Sequence, residues 1–328
     1  MMKVKYIAEV ALCHKGSKDL AKKFVKNFKK TKAQFLKFHL LIADEIADKD
    51  YKYFKLFKSF EMPDKQWMEV SRFAKSNGVK LIFDILGAKS LKVACKCGIK
   101  IIKLHSTDIY NYPLHDEIKK SSVHTVIISA GGCHKEEIVK VVKKLSNKKI
   151  IIIFGYQIYP TKSCNLNLSK ILLIKNSVNL FKNVSFAYAD HSPNGILETI
   201  YNCSSAISYG AEIIEKHFAF NKSIKTDSDK SAFNISEFNI MIKLINQCFF
   251  KKKKHKWFHN DELIYRKNVS RNFFAKKNIK QKQKVTLSNL ELKRGKSAPK
   301  IHIDKIIGKK AKKDILAGEE LTEKNIKI

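Results

Sequence analysis

KIIKLHSTDIYNYPLHDEIKKSSVHTVIISAGGCHKEEIVKVVKKLSNKKIIIIF, residues 100–154, is the stretch on which the fold turns. Three short runs of apolar, mostly β-branched residues, 100–104, 125–128 and 149–154, alternate with longer segments. One of those segments, 135–145, has its apolar residues at helical spacing. The runs are apolar almost throughout instead of alternating with polar residues. That is the pattern of strands covered on both faces in a parallel sheet. Working outward, similar runs lie at 4–10, 34–38, 79–83, 184–188 and 212–215, with candidate helices at 18–30, 64–76, 89–97 and 195–208. A last helix at 236–250 has Asn234 or Ser236 as its cap and Glu237 in its first turn. Eight strands, each followed by a helix or a long loop, over about 250 residues are the count of a (β/α)8 TIM barrel. A doubly wound open sheet is the alternative, but it would place a Gly-rich phosphate turn after the first strand. Here that turn, EVALCHKG (9–16), holds a single glycine.

The composition changes after residue 250. KKKKHK (251–256) is a charge run, 251–267 reads as a linker, and 268–328 form a second, small unit of short strands at 271–275, 284–286, 290–292, 306–308 and 315–318. Within it NIKQKQKVTLSNLEL (278–292) and DILAGEELTEKNIKI (314–328) follow one scheme, which predicts a compact, pseudo-symmetric β-rich module.

The chain has 328 residues, 44% of them hydrophobic, which excludes disorder as its main state. Its 65 basic residues outnumber 30 acidic ones, a net charge of +35, yet the only arginines are Arg72, Arg266, Arg271 and Arg294. Nucleic-acid readers use arginine forks and aromatic platforms gathered in one stripe, whereas these lysines are spread along the whole chain. No nucleic-acid partner is expected; the surface favours anionic small molecules. No run of about 18 apolar residues or signal-peptide pattern is present, so the expected location is the cytoplasm, without a membrane. Seven cysteines lack zinc-site spacing and read as thiols.

In a barrel, function sits at the C-terminal ends of the strands. The polar residues there are Glu9, Lys37, His39, Asp84, Lys103, Ser106, Asp108, Ser129, Gln157, Tyr159, Asp190, His191 and His217. Two lysines within apolar strands, Lys37 and Lys103, each need an anion, and a bound phosphate or carboxylate would supply one. His191 and His217 end adjacent strands at one level. That pair suits Mn²⁺ or a similar divalent ion acting as a Lewis acid on a carbonyl oxygen.

IAEVALCHKGSKDLAKKFV (7–25), FLKFH (35–39), IIKLHSTDIYNYPL (101–114), VIISAGG (126–132), IYPTKSCNLNL (158–168), YADHSPNG (188–195) and GAEIIEKHFAFNK (210–222) run nearly end to end through the barrel. In these motifs the chain resembles the sialic acid (nonulosonic acid) synthases, exemplified by N-acetylneuraminate synthase. Its tail, from RNFFAKKNIKQKQKVTLSNLELKRG (271–295) to IIGKKAKKDILAGEEL (306–321), resembles the SAF, or antifreeze-like, domain that follows the barrel in that family. The resemblance implies a transferase that forms a C–C bond between phosphoenolpyruvate and an N-acetylated hexose, N-acetylmannosamine or a 2,4-diacetamido sugar, and releases phosphate. It implies that Lys37, Lys103, Ser106 and Ser129 hold phosphoenolpyruvate. His191 and His217 would be the ligands of Mn²⁺, with Mg²⁺ or Co²⁺ as alternatives. Glu9 and Asp227 match acid/base carboxylates, with Asp229 a second choice for the latter, and Asp108 matches a carboxylate near the reacting carbons. Tyr159 and Gln157 would contact the ligands and His39 would face the sugar. Arg294 would reach the sugar's N-acetyl group from the partner subunit of a domain-swapped homodimer.

The chain departs from the family pattern at Cys13, His39, Gln157 and Ala189, and FDILG (83–87) replaces a Ser-Thr-Pro-Phe-like strand end. Two rival readings remain at this level: a catalytically altered barrel that binds carbohydrate or anions, and lysine Schiff-base aldolase chemistry. Neither accounts for the tail.

Overall fold

The structure, a computed structural model, describes residues 4–193, 195–221, 229–249, 257–295 and 303–327. Asp227 lies outside the described residues, and so does the side chain of Asp229. Eight parallel strands close into a barrel in sequence order: β1 (Lys5–Ala11), β2 (Phe35–Leu40), β3 (Lys80–Ile85), β4 (Ile101–Leu104), β5 (Thr125–Ser129), β6 (Lys149–Phe154), β7 (Val184–Asp190) and β8 (Ile213–His217). β1 pairs with β8 to complete the ring. The expected TIM barrel is the fold, and an open sheet is excluded.

Strand period divides the residues of each strand between two cores. Ile7, Ile82, Ile127, Ile151, Ile153, Ala187, Ala189 and Ile213 point inward and fill the barrel. The intervening residues, such as Phe38, Phe83 and Ile152, point outward and pack under the helices with Phe24, Trp67 and Val141. Both faces are thereby buried, which is why the strands read as unbroken apolar runs. Helices cover the outside with ordinary signals. Ser17 caps Lys18–Phe28 by accepting from the Leu20 N–H, and Asn111 caps Tyr112–Lys120 by accepting from the Leu114 N–H. Asn234, not Ser236, caps the helix Ile235–Phe249: it accepts from the Glu237 N–H at 3.0 Å while Glu237 accepts from the Asn234 N–H at 2.9 Å. Several strands run one or two residues beyond their expected ends, which brings His39, Asp84, Asp190 and His217 into the sheet.

The chain divides into two units, 1–251 and 252–328. In the second, the stretch expected as linker contains a helix, Asn260–Val269, whose start is fastened by Glu262 accepting from the His259 N–H. β9 (Arg271–Ala275) and β10 (Leu290–Arg294) form a two-stranded antiparallel sheet beside a core of Ala275, Ile279, Val285, Ile306, Ile315, Leu321 and Ile326. The two similar stretches play equivalent roles. Asn289 accepts from the Thr286 N–H at 2.9 Å and Asn325 from the Thr322 N–H at 2.7 Å, while Ile279 and Ile315 pair with each other.

Candidate active site

The inward residues at the C-terminal ends of the strands converge on a small cavity of about 30 Å³, lined by residues that include Glu9, His39, Lys103, Ser129, Gln157, Tyr159, His191, Glu215 and His217. A larger cavity, about 680 Å³, opens at the opposite end of the barrel among strand starts such as Lys5, Phe35 and Lys149, and holds none of these groups.

Beneath the small cavity lies a charge cluster. Lys37 is fully buried and pairs with Glu9, with Glu215 at 2.7 Å and with Asp84 at 3.8 Å. Lys103 pairs with Asp84 at 2.8 Å and approaches Glu215 at 3.9 Å. The anions that the two strand lysines require are therefore supplied within the chain, by three carboxylates. Burial is the largest influence on Lys37 and pulls it below the ordinary lysine value. Burial also opposes the charge on Lys103, but Asp84 and Glu215 outweigh it and hold that ammonium above its ordinary value. In the same way burial disfavours the Asp84 and Glu215 carboxylates, yet the two lysines keep both below the usual carboxylate range.

Glu9 is aimed by its own strand end. β1 shifts register between Glu9 and Ala11, Ala11 takes a positive φ of 50°, and its N–H donates to Glu9 Oε1 at 2.6 Å. His39 Nε2 stands 3.3 Å from Asp84, and burial depresses its imidazole to about 3, so the ring is neutral.

His191 and His217 face each other with ring centroids 5.5 Å apart. His191 Nδ1 is 2.6 Å from the Tyr156 carbonyl, which can only accept, so Nδ1 carries the proton and Nε2 the lone pair. That lone pair accepts from the Tyr159 hydroxyl at 3.1 Å. Burial depresses His191 to about 4 and His217 well below the ordinary imidazole value, so both rings are neutral, the form that ligates a metal. His217 Nδ1 is buried and without a hydrogen-bond partner among the described residues. Two neutral imidazoles, one with an unsatisfied nitrogen, fit a divalent ion at an open site. Among the described residues no third His, Cys, Asp or Glu joins them as a ligand group.

The structure brings Glu9, Lys37, His39, Lys103, Ser129, Gln157, Tyr159, His191 and His217 to this mouth. Ser106 and Asp108 sit on the short turn after β4 and do not line the cavity; Asp108 accepts from Asn111 at 2.7 Å. Arg294 is exposed at the end of β10 in the second unit. Sequence reasoning missed Glu215 and His105, both of which line the cavity. The signal for Glu215 was available in Ile213-Glu215-His217, the inward set of one strand.

Residues 23–256 match the model of the NeuB family, and residues 271–327 match the SAF domain. The chain belongs to the NeuB family. Among relatives of this NeuB-family chain, an uncharacterized protein of Methanocaldococcus jannaschii is 29% identical, over 94% of this chain and 90% of that one. A pseudaminic acid synthase of Campylobacter jejuni subsp. jejuni is 27% identical, over 98% and 96%. The crystal structure of an N-acetylneuraminic acid (sialic acid) synthetase from Leptospira borgpetersenii superposes with a TM-score of 0.70 at 24% identity, over 80% of this chain and 91% of that one. No helix among the described residues is long and apolar enough to cross a membrane.

Proposed function

We propose that this chain condenses phosphoenolpyruvate with an N-acetylated hexose to give a nonulosonic acid and phosphate. The observation that carries the reading is the pair of neutral imidazoles, His191 and His217, beside the buried Lys37 and Lys103 at the mouth of a NeuB-family barrel. Lys37, Lys103, Ser129 and Ser106 would bind the phosphate and carboxylate of phosphoenolpyruvate through point charges and hydroxyl donors. His191 and His217 would hold a divalent cation, Mn²⁺ in the first place, which supplies Lewis acidity toward the sugar's open-chain carbonyl oxygen. C3 of phosphoenolpyruvate then bonds to the aldehyde carbon, the cationic C2 takes up water, and the tetrahedral product loses phosphate. Glu9, which accepts the Ala11 N–H, would take a proton from that water, with Asp227 as its acid/base counterpart, and Asp108 would act near the reacting carbons. Tyr159, Gln157 and His39 line the cavity; Tyr159 and Gln157 would border the ligands, and His39 would face the sugar. Arg294, offered by a partner subunit in a swapped homodimer, would bind the N-acetyl group.

One observation favours a second reading, an anion- or carbohydrate-binding barrel with altered catalysis. Asp84 stands where the family pattern has a neutral strand end, and it occupies Lys103. One experiment decides between them: phosphate release from phosphoenolpyruvate with Mn²⁺, with and without N-acetylmannosamine and a panel of diacetamido hexoses. Release that requires both sugar and metal supports the synthase and identifies the acceptor. Tight phosphoenolpyruvate binding with no release from any sugar moves the binding protein to first place.

A further inference from the structure

The outward-facing strand residues of the barrel are apolar, from Val10 and Leu36 to Ile152 and Ile214. Among the described residues Asp190 on β7 and Lys216 on β8 are the exceptions. They are direct register partners, their side chains are completely buried, and Lys216 Nζ lies 2.6 Å from Asp190 Oδ1. The pair is fully engaged. Asp190 also accepts from the Ser192 N–H at 3.2 Å, from Thr199 Oγ1 at 3.4 Å and, through Oδ2, from the Tyr188 hydroxyl at 3.2 Å. Lys216 donates to the Ser192 carbonyl at 3.1 Å and stands 4.7 Å from the centre of the Phe233 ring.

Stability does not explain charges here, since replacing a buried ion pair by well-packed apolar residues is often neutral or stabilising. What an ion pair can do that an apolar pair cannot is penalise the wrong register. Sliding β7 against β8 by one residue would leave two buried charges unpaired and turn every neighbouring side chain to the other face. The residue that follows each member of the pair is an imidazole of the candidate metal site, His191 or His217. We propose that Asp190 and Lys216 are positioning residues for those two imidazoles. Their ion pair locks β7 to β8 one residue below the rings and keeps both nitrogens aimed into the barrel mouth. The proposal rests on the reading of His191 and His217 as a metal site.

The test uses the whole chain with Asp190→Leu/Lys216→Met and, where that variant aggregates, Asp190→Asn/Lys216→Gln, which keeps hydrogen-bonding groups without charge. Three quantities are read: the melting temperature, Mn²⁺ affinity from the free-ion EPR signal, and the ¹⁵N ring signals of labelled histidines recorded without metal. The apolar variant is expected to melt at or above the wild-type temperature, to bind Mn²⁺ about 10- to 100-fold more weakly, and to show mixed His191 tautomers where the wild type shows the Nδ1–H form. Wild-type affinity together with wild-type ring signals in either folded variant overturns the proposal. Mn²⁺ binding that His191→Ala leaves unchanged removes the metal reading instead, and the metal-free ring signals still decide the positioning role.

Discussion

Lys37→Met is the sharpest probe of the charge cluster. In the wild type the Lys37 ammonium faces Glu9, Glu215 at 2.7 Å and Asp84 at 3.8 Å, with side-chain exposures of 3% or less throughout. Removing it leaves three buried carboxylates against the single cation Lys103. Breaking a buried pair by deleting one partner costs about 3–5 kcal/mol. For a unit of this size about 1 kcal/mol corresponds to roughly 2–4 °C in Tm, so the variant should melt roughly 6–20 °C lower at pH 7. The double variant Lys37→Met/Glu215→Gln returns the cluster to one excess negative charge, and most of the loss should be recovered. The sign with pH follows from linkage. Without Lys37 the folded-state pKa of Glu9 or Glu215 rises above its unfolded value, so the deficit is largest at neutral pH and shrinks as pH falls through the raised value. Thermal melts by circular dichroism between pH 5 and 8 check both parts. A Lys37→Met protein within about 0.5 kcal/mol of wild type, or a double variant less stable than the single one, would refute the assignment of Lys37 as the cation that neutralises these carboxylates.

His191→Ala and His217→Ala should each abolish divalent-cation-dependent phosphate release while leaving the barrel folded; near-normal rates in a chelated assay count against a metal site at this pair. Asp84→Asn should bind phosphoenolpyruvate and inorganic phosphate at least about tenfold more tightly by calorimetry, because a unit negative charge about 5 Å from a bound anion opposes it by about 3 kcal/mol at an effective dielectric of 20. Unchanged affinity would mean the anion sits elsewhere. His14 is buried and depressed to about 4 by desolvation, accepts from the Gly16 N–H at 3.1 Å and packs edge-on against Trp67. Its neutral form stabilises the fold above the unfolded value of 6.5, and about 3 kcal/mol is lost on acidification from there to about pH 4. His14→Gln should flatten that slope in urea titrations, and an unaltered slope assigns the loss to other groups.

The barrel was legible because burial on both faces leaves strands such as Lys149–Phe154 apolar at every residue after the first. The histidine pair was legible for a positional reason, since strand ends carry the chemistry of this fold. The counterions were not. Glu215 lies two strands from Lys37 round the ring, from β2 across β1 to β8, and the anion for Lys37 was sought in a ligand although this carboxylate faces it at 2.7 Å. The helix Asn260–Val269 escaped for a different reason: it buries no residue, so no apolar stripe marks it, and only the His259 and Glu262 spacing announces its start.

The charge sum of the mouth links these observations. Glu9, Asp84 and Glu215 against Lys37 and Lys103, with neutral imidazoles at His39, His191 and His217, leave one net negative charge in a buried pocket. A highly charged anion such as phosphoenolpyruvate is opposed by that field, and the three carboxylates already occupy the donors it would use. The proposed divalent ion would change the sum from −1 to +1 without altering a protein group. Binding of cation and anion should then be mutually reinforcing. A neutral residue at position 84, as in the family pattern, would bring the sum to zero before any cation binds. Asp84 therefore lowers this chain's anion affinity both with and without the cation, since the cation adds two positive charges to the sum in either case. The same carboxylate that argues for altered catalysis would thus leave the cation-free mouth, at −1, a poorer host for phosphoenolpyruvate than the cation-loaded one, at +1.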